Sequence, residues 1–149
     1  MQRARWETKD FLPADKQMIR PRVLIADDDR ALRSSVQRLL EPEFEVVAAV
    51  ADGAALLEAC QTVVPDVVVA DISMPRLNGF QAARRLRETQ AAVPIVFLTV
   101  HEEETVIAEA LRIGVAAYVL KRSASADLVP AIRSALQGRC FVSPAVQQH

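Results

Sequence analysis

Two hydrophobic patterns alternate along residues 22 to 138. Short apolar runs without polar alternation recur at Val23-Leu24-Ile25-Ala26, Val67-Val68-Val69-Ala70, Ile95-Val96-Phe97-Leu98 and Ala116 to Leu120. Such runs predict strands buried on both faces, which is the signature of a parallel sheet. Glu45 to Val50 supplies a further strand. Between the strands the apolar spacing changes to that of a helix. Leu32, Val36, Leu39 and Leu40 make the first stripe, Leu56, Leu57 and Cys60 the second, and Phe80, Ala83 and Leu86 the third, with Arg84, Arg85 and Arg87 facing solvent. Val106, Ile107, Ala110, Leu111 and Ile113 make the fourth, and Leu128, Ile132, Ala135 and Leu136 the fifth.

Local signals close these elements. Pro65, Pro75 and Pro94 bound the strands and helices around them, and Gly114 and Gly138 stand where left-handed helix terminators are expected. Asp29 is placed as a helix cap. Glu102, Glu103 and Glu104 suit the positive end of a helix dipole. Pro130 would cost a hydrogen bond deep in a helix, so Asp127 is the expected cap of the last helix, with Pro130 in its first turn. Five strands joined by helical crossovers predict an α/β fold: a doubly wound, parallel five-stranded sheet in the order 2-1-3-4-5. Residues 1–21, with Trp6, Phe11, Pro13 and Pro21, keep no period and read as a mobile leader. Residues 139–149 read as a tail or the start of a linker, leaving 22–138 as one domain.

Composition narrows the picture. A chain of 149 residues with 51% apolar and 25% charged positions fits one domain with a full core. Cys60 and Cys140 lie far apart, which makes a disulfide scaffold improbable and favours a reducing, cytoplasmic setting. No window is apolar enough for a membrane span, and residues 1–22 lack a signal-peptide core. Residues 1–22 carry six Lys/Arg against three Asp/Glu, but 23–149 carry twelve against sixteen. The mildly acidic body argues against direct nucleic-acid binding by this chain.

The chemistry falls on one sheet edge. Asp27, Asp28, Asp71, Thr99 and Lys121 all end strands, at the carboxyl side where ligands of open α/β sheets sit. Singly, each has an ordinary explanation as a cap, a strand-end residue or a solvated charge. Jointly they crowd several carboxylates, each pair at 4 Å repelling by about 4 kcal/mol at an effective dielectric near 20. Either one acid takes a proton or a hard cation binds, and Mg²⁺ suits a site with room for water and a phosphate oxygen. With a metal and a lysine beside it, Asp71 is set up as a nucleophile toward phosphorus. Asp28, Asp71 and the Ser73 carbonyl would hold Mg²⁺, Asp27 would act through water, and Lys121 and Thr99 would meet phosphoryl oxygens.

These motifs, Asp27-Asp28, Asp71-Ile72-Ser73-Met74-Pro75 with Gly79, Thr99, and Tyr118 with Lys121, resemble the receiver domain of bacterial response regulators over residues 22 to about 138. The resemblance implies a flavodoxin-like fold, phosphorylation of Asp71 by a sensor histidine kinase, and a switch formed by Thr99 and Tyr118 that remodels a partner or homodimer surface. Residues 127 to 144 resemble the subfamily in which a LuxR-type helix-turn-helix domain follows, which implies control of transcription; no such domain lies within this sequence. Three departures bear on phosphate lifetime. Val100 stands where a small residue is usual and is expected to crowd the phosphoryl site. Arg122 replaces the proline that often follows the lysine, which puts a cis peptide there in doubt. Ser73 and His101 occupy positions that tune self-dephosphorylation.

Two other readings compete. A haloacid-dehalogenase-type phosphatase would use Asp27-x-Asp29, but that family expects Thr or Val at the position held by Ala31. A pseudo-receiver would keep the shape as an interaction module and ignore phosphate. As a receiver the chain is a signalling domain rather than an enzyme, with at most self-catalysed phosphotransfer and slow autodephosphorylation.

Overall fold

The computed structural model describes residues 19–147. Most of the expected leader, residues 1–18, lies outside them. The elements are β1 (Arg22–Ala26), α1 (Arg30–Leu40), β2 (Glu45–Val50), α2 (Gly53–Val63), β3 (Val67–Ala70), α3 (Gly79–Thr89), β4 (Ile95–Thr99), α4 (Glu104–Ile113), β5 (Ala117–Leu120), α5 (Ala124–Leu136), β6 (Phe141–Val142) and α6 (Pro144–Gln147). All strands are parallel, in the order β2-β1-β3-β4-β5-β6. The flavodoxin-like order expected for the first five is the one found.

The apolar strand runs are continuous because both faces are covered. Leu24, Val68, Phe97 and Tyr118 pack on one side with Leu56, Ala83 and Leu86 of α2 and α3. Val23, Val69, Leu98 and Val119 pack on the other with Val36, Leu128 and Ile132 of α1 and α5. Asp29 caps α1 at the Leu32 N–H, Asp52 caps α2 at Ala55, and Asn78 forms a reciprocal capping box with Gln81 on α3. Gly114 ends α4 at φ 94°, the left-handed conformation its position predicts. Cys60 is a core residue, and burial pushes its thiol up to about 11.

Four expectations need correction. First, α5 is not capped by Asp127: a 3-10 turn over Lys121–Ser123 runs directly into a helix starting at Ala124, so Pro130 lies in its interior. The carbonyl that loses its donor belongs to Ala126, an exposed residue that water can serve, while Leu128, Ala131, Ile132 and Ala135 are buried. Burial of that face outweighs one missing bond. Second, Leu111 is 42% exposed rather than inward, and among the α4 positions only Ala110 is buried. Third, Arg87 is not simply solvated: its guanidinium donates to the carbonyls of Ala91, Val93 and Gly114, tying the end of α3 to the end of α4, and desolvation lowers its pKa. Fourth, residues 141–147, expected to carry no element, form β6 and α6. A two-residue strand is too short to show a period. Its anchor is Ser143, fully buried, whose N–H donates to Tyr118 and whose hydroxyl accepts from the Leu120 N–H.

Candidate functional site

Parallel pairing places the strand ends side by side. Ala26 is in register with Ala70, Ala70 with Phe97, and Thr99 with Leu120. The residues that follow these ends are therefore neighbours across four strands. Asp27, Asp28 and Asp71 present carboxylate oxygens that all lie within 4.8 Å of one another. Asp27 and Asp71 are buried and Asp28 is exposed. Lys121 reaches across from β5, its Nζ 2.9 Å from Asp27 Oδ2 and 3.0 Å from Asp71 Oδ2.

Backbone groups fix the two buried acids. The Ile72 N–H donates to Asp71 Oδ1 at 2.7 Å and the Asp29 N–H to Asp27 Oδ1 at 2.8 Å. Arg33, one turn into α1, donates to the Asp27 carbonyl at 2.7 Å and so anchors the turn after β1. Asp27 Oδ2 is buried, with the Lys121 ammonium as its partner. Burial raises the Asp27 pKa, with Lys121 and the Asp29 N–H opposing and the Asp71 charge adding to the rise. Burial also pulls the Lys121 pKa down, but Asp27 and Asp71 outweigh it and leave a cation with its pKa above the ordinary lysine range.

Three carboxylates against one ammonium leave net negative charge at this edge. A hard divalent cation offsets it, and an all-oxygen donor set with one exposed member suits Mg²⁺, which keeps several waters. The residues present fit that ion. Above them opens a cavity of about 540 Å³ lined by Asp28, Ser73, Met74, Phe80, His101 and Val106, among others.

Thr99 and Tyr118, both fully buried, meet at His101. The His101 N–H donates to Thr99 Oγ1 at 3.2 Å, and the Tyr118 hydroxyl donates to the His101 carbonyl at 2.8 Å. The imidazole is held as well, Nε2 2.8 Å from Ser73 Oγ and Nδ1 3.3 Å from Glu103. Burial, with Glu103, Asp71 and Glu102 nearby, raises the Tyr118 pKa and keeps its hydroxyl a donor. His101 is thus a junction between the acidic site and β5. Ser73, three positions past the end of β3, and Glu103, four past the end of β4, make no sequence pattern with it; only the fold brings Ser73 across from β3.

The departures also have places. Val100, expected to crowd the phosphoryl site, is 66% exposed. Arg122 forms a two-pronged pair with Glu102, linking the segment after β5 to the segment after β4. All peptide bonds among the described residues are trans, Lys121–Arg122 included.

The family model of the response regulator receiver domain matches residues 23–133. The chain belongs to the response-regulator receiver family. The receiver is 36% identical over 126 residues to the transcriptional regulatory protein DegU of Brevibacillus brevis, covering 83% of this chain and 53% of that protein. It is 34% identical over 128 residues to the response regulator UvrY of Escherichia coli K12, covering 85% and 59%. The sequence therefore spans between half and two thirds of these relatives. Among solved structures, a LuxR-family two-component response regulator from Aurantimonas sp. SI85-9A1 superposes with a TM-score of 0.83 at 33% identity, covering 87% of this chain and 94% of that one. The signal receiver domain of a putative NarL from Mycobacterium tuberculosis gives 0.77 at 32% identity, covering 80% and 98%. The resemblance to LuxR-type regulators holds in both sequence and structure. A receiver is a signalling domain, which leaves the phosphatase reading without support. No helix among the described residues is long and apolar enough to cross a membrane.

Proposed function

We propose that this receiver accepts a phosphoryl group on Asp71 from the phosphohistidine of a sensor kinase in the cytoplasm and passes the change to a partner, or a second copy, in the control of transcription. The observation that carries the proposal is the juxtaposition of Asp27, Asp28 and Asp71 around Lys121 at the carboxyl edge.

Asp71 is ready for in-line attack because its carboxylate is oriented by the Ile72 N–H and Lys121. One of its oxygens forms the new P–O bond as the P–N bond to the donor imidazole breaks, and the imidazole departs. Lys121 offsets charge on the phosphoryl oxygens, and Thr99 turns its hydroxyl toward one of them. Mg²⁺, held by Asp28, Asp71 and the Ser73 carbonyl with Asp27 through water, would supply further charge neutralisation.

The switch follows from the His101 junction. When Thr99 turns to a phosphoryl oxygen, the His101 N–H loses its acceptor, and the Tyr118 hydroxyl is bonded to the same residue. The segment between β4 and α4 then shifts together with Tyr118, changing the surface of the weakly buried α4. Ser73 and His101 stand across the mouth of the site and set phosphate lifetime.

Incubation with Mg²⁺ and acetyl phosphate, followed by intact mass and oligomeric state, tests the proposal. The parent is expected to gain one phosphoryl mass and Asp71→Asn none; an unmodified parent would contradict phosphotransfer.

A further inference from the structure

The loop between Asp71 and Asn78 carries the Ser73 carbonyl and is pinned at both ends by close backbone contacts. At its start, the Gly79 N–H donates to the Ile72 carbonyl at 2.7 Å, and a Cβ on Gly79 would lie 2.3 Å from the Asp71 backbone carbonyl oxygen. At its end the support comes from elsewhere in the fold. The Gly53 N–H donates to the Leu77 carbonyl at 3.0 Å, and a Cβ on Gly53 would meet that oxygen at 2.1 Å and the carbonyl carbon at 2.7 Å.

Gly53 opens α2, beyond β1 from the loop it supports. Its φ does not demand glycine, so the approach of Leu77 is the reason for it. Asp52, 8% exposed, caps α2 through the Ala55 N–H at 2.7 Å and fixes the turn from which Gly53 reaches out. On the loop, Arg76 adopts φ 67° and brings its Nε within 3.8 Å of Asp52. Arg76 is largely exposed, so this ion pair is a weak tie. The hydrogen bond and the steric fit at Gly53 carry the contact.

We propose that Asp52 and Gly53 are positioning residues that set the β3–α3 loop, and through it the Ser73 carbonyl, for divalent-cation binding. The inference rests on reading Asp27, Asp28 and Asp71 as that cation's site. Six-coordinate hard cations tolerate little displacement of a ligand, and relief of a 2.1 Å approach to backbone requires the contact to open by about 1 Å.

Binding of Mn²⁺ alone, read from the electron paramagnetic resonance signal of the free ion, is the test, with thermal unfolding of each variant beside it. Gly53→Ala is expected to bind about tenfold more weakly than the parent, as losses of supporting contacts around metal ligands do. Asp52→Ala, which frees the turn without adding bulk, should lose about threefold, and Asp52→Asn, which keeps the cap, should bind as the parent does. Gly138→Ala controls for backbone strain alone: it sits at φ 75° with nothing within 4 Å of its added Cβ, so it should unfold earlier yet bind normally. Parental affinity in folded Gly53→Ala would overturn the proposal, as would equal losses in Asp52→Asn and Asp52→Ala. Should Gly53→Ala not fold, the Asp52 pair decides. A parent that binds no Mn²⁺ would overturn the cation site and this proposal together, whereas binding by the parent and unchanged binding by the variants would overturn this proposal alone.

Discussion

Asp27 carries the strain of the site. Its carboxyl is buried beside the Asp71 charge, and that burial holds its pKa above the ordinary value despite the Lys121 ammonium. A carboxyl raised in the folded state favours folding while protonated, below its unfolded pKa, and that contribution is lost as pH rises through the folded value. Without divalent cation, Asp27→Asn should therefore be more stable than the parent, with the gap in Tm widening as pH rises through the range in which the parent's Asp27 ionises. Added Mg²⁺ should stabilise the parent and close the gap; a gap that is constant with pH would contradict this. His101 gives a second prediction at this scale. His101→Ala removes the tie to Ser73 and Glu103 across the mouth, and the phosphorylated protein should lose its phosphate about threefold faster, equivalent to about 0.6 kcal/mol in barrier. Decay at the parental rate would show that the side chain does not guard the site. Asp27, Asp28, Asp71, Thr99 and Lys121 stood out in the sequence because each ends or closely follows a buried strand. His101 as a junction was not, since its partners Ser73 and Tyr118 come from two other strands.

At the scale of elements, the strands were the most legible, because a run such as Val67 to Ala70 with no polar member admits only a two-sided environment. The edges of the fold were less so. The start of α5 was misplaced because Pro130 was weighed against a local hydrogen bond, when the buried face of Leu128, Ala131, Ile132 and Ala135 decides. Pro130→Ala should thus stabilise the protein: it returns a donor to Ala126, offset in part by greater freedom of the unfolded chain, for a net gain of about 1 kcal/mol in chemical denaturation. A loss of stability would mean that the proline ring packs usefully. β6 was invisible for a different reason: two residues make no period, and its hold comes from Ser143. Ser143→Ala leaves the Leu120 N–H buried without its acceptor and should cost about 1–2 kcal/mol. An unchanged denaturation midpoint would show that β6 contributes nothing to β5.

For the whole molecule, one sheet edge gathers the chemistry, and α4 beside it presents a largely solvent-facing surface. Leu111 is exposed there and Ala110 is the one buried residue of α4, whereas β1, β3, β4 and β5 are almost entirely buried. Under the proposed function, a change at that edge would be read on the exposed side of α4. The central claim is that Asp71, among three adjacent carboxylates, is the residue that takes the phosphoryl group. Borohydride reduction of the acetyl-phosphate-treated protein, followed by peptide mass spectrometry, tests it directly, because an acyl phosphate is reduced to the alcohol and leaves homoserine in place of the aspartate. Homoserine at position 71, formed only with Mg²⁺, is the predicted result; homoserine at position 27 or 28, or at none of the three, would contradict it.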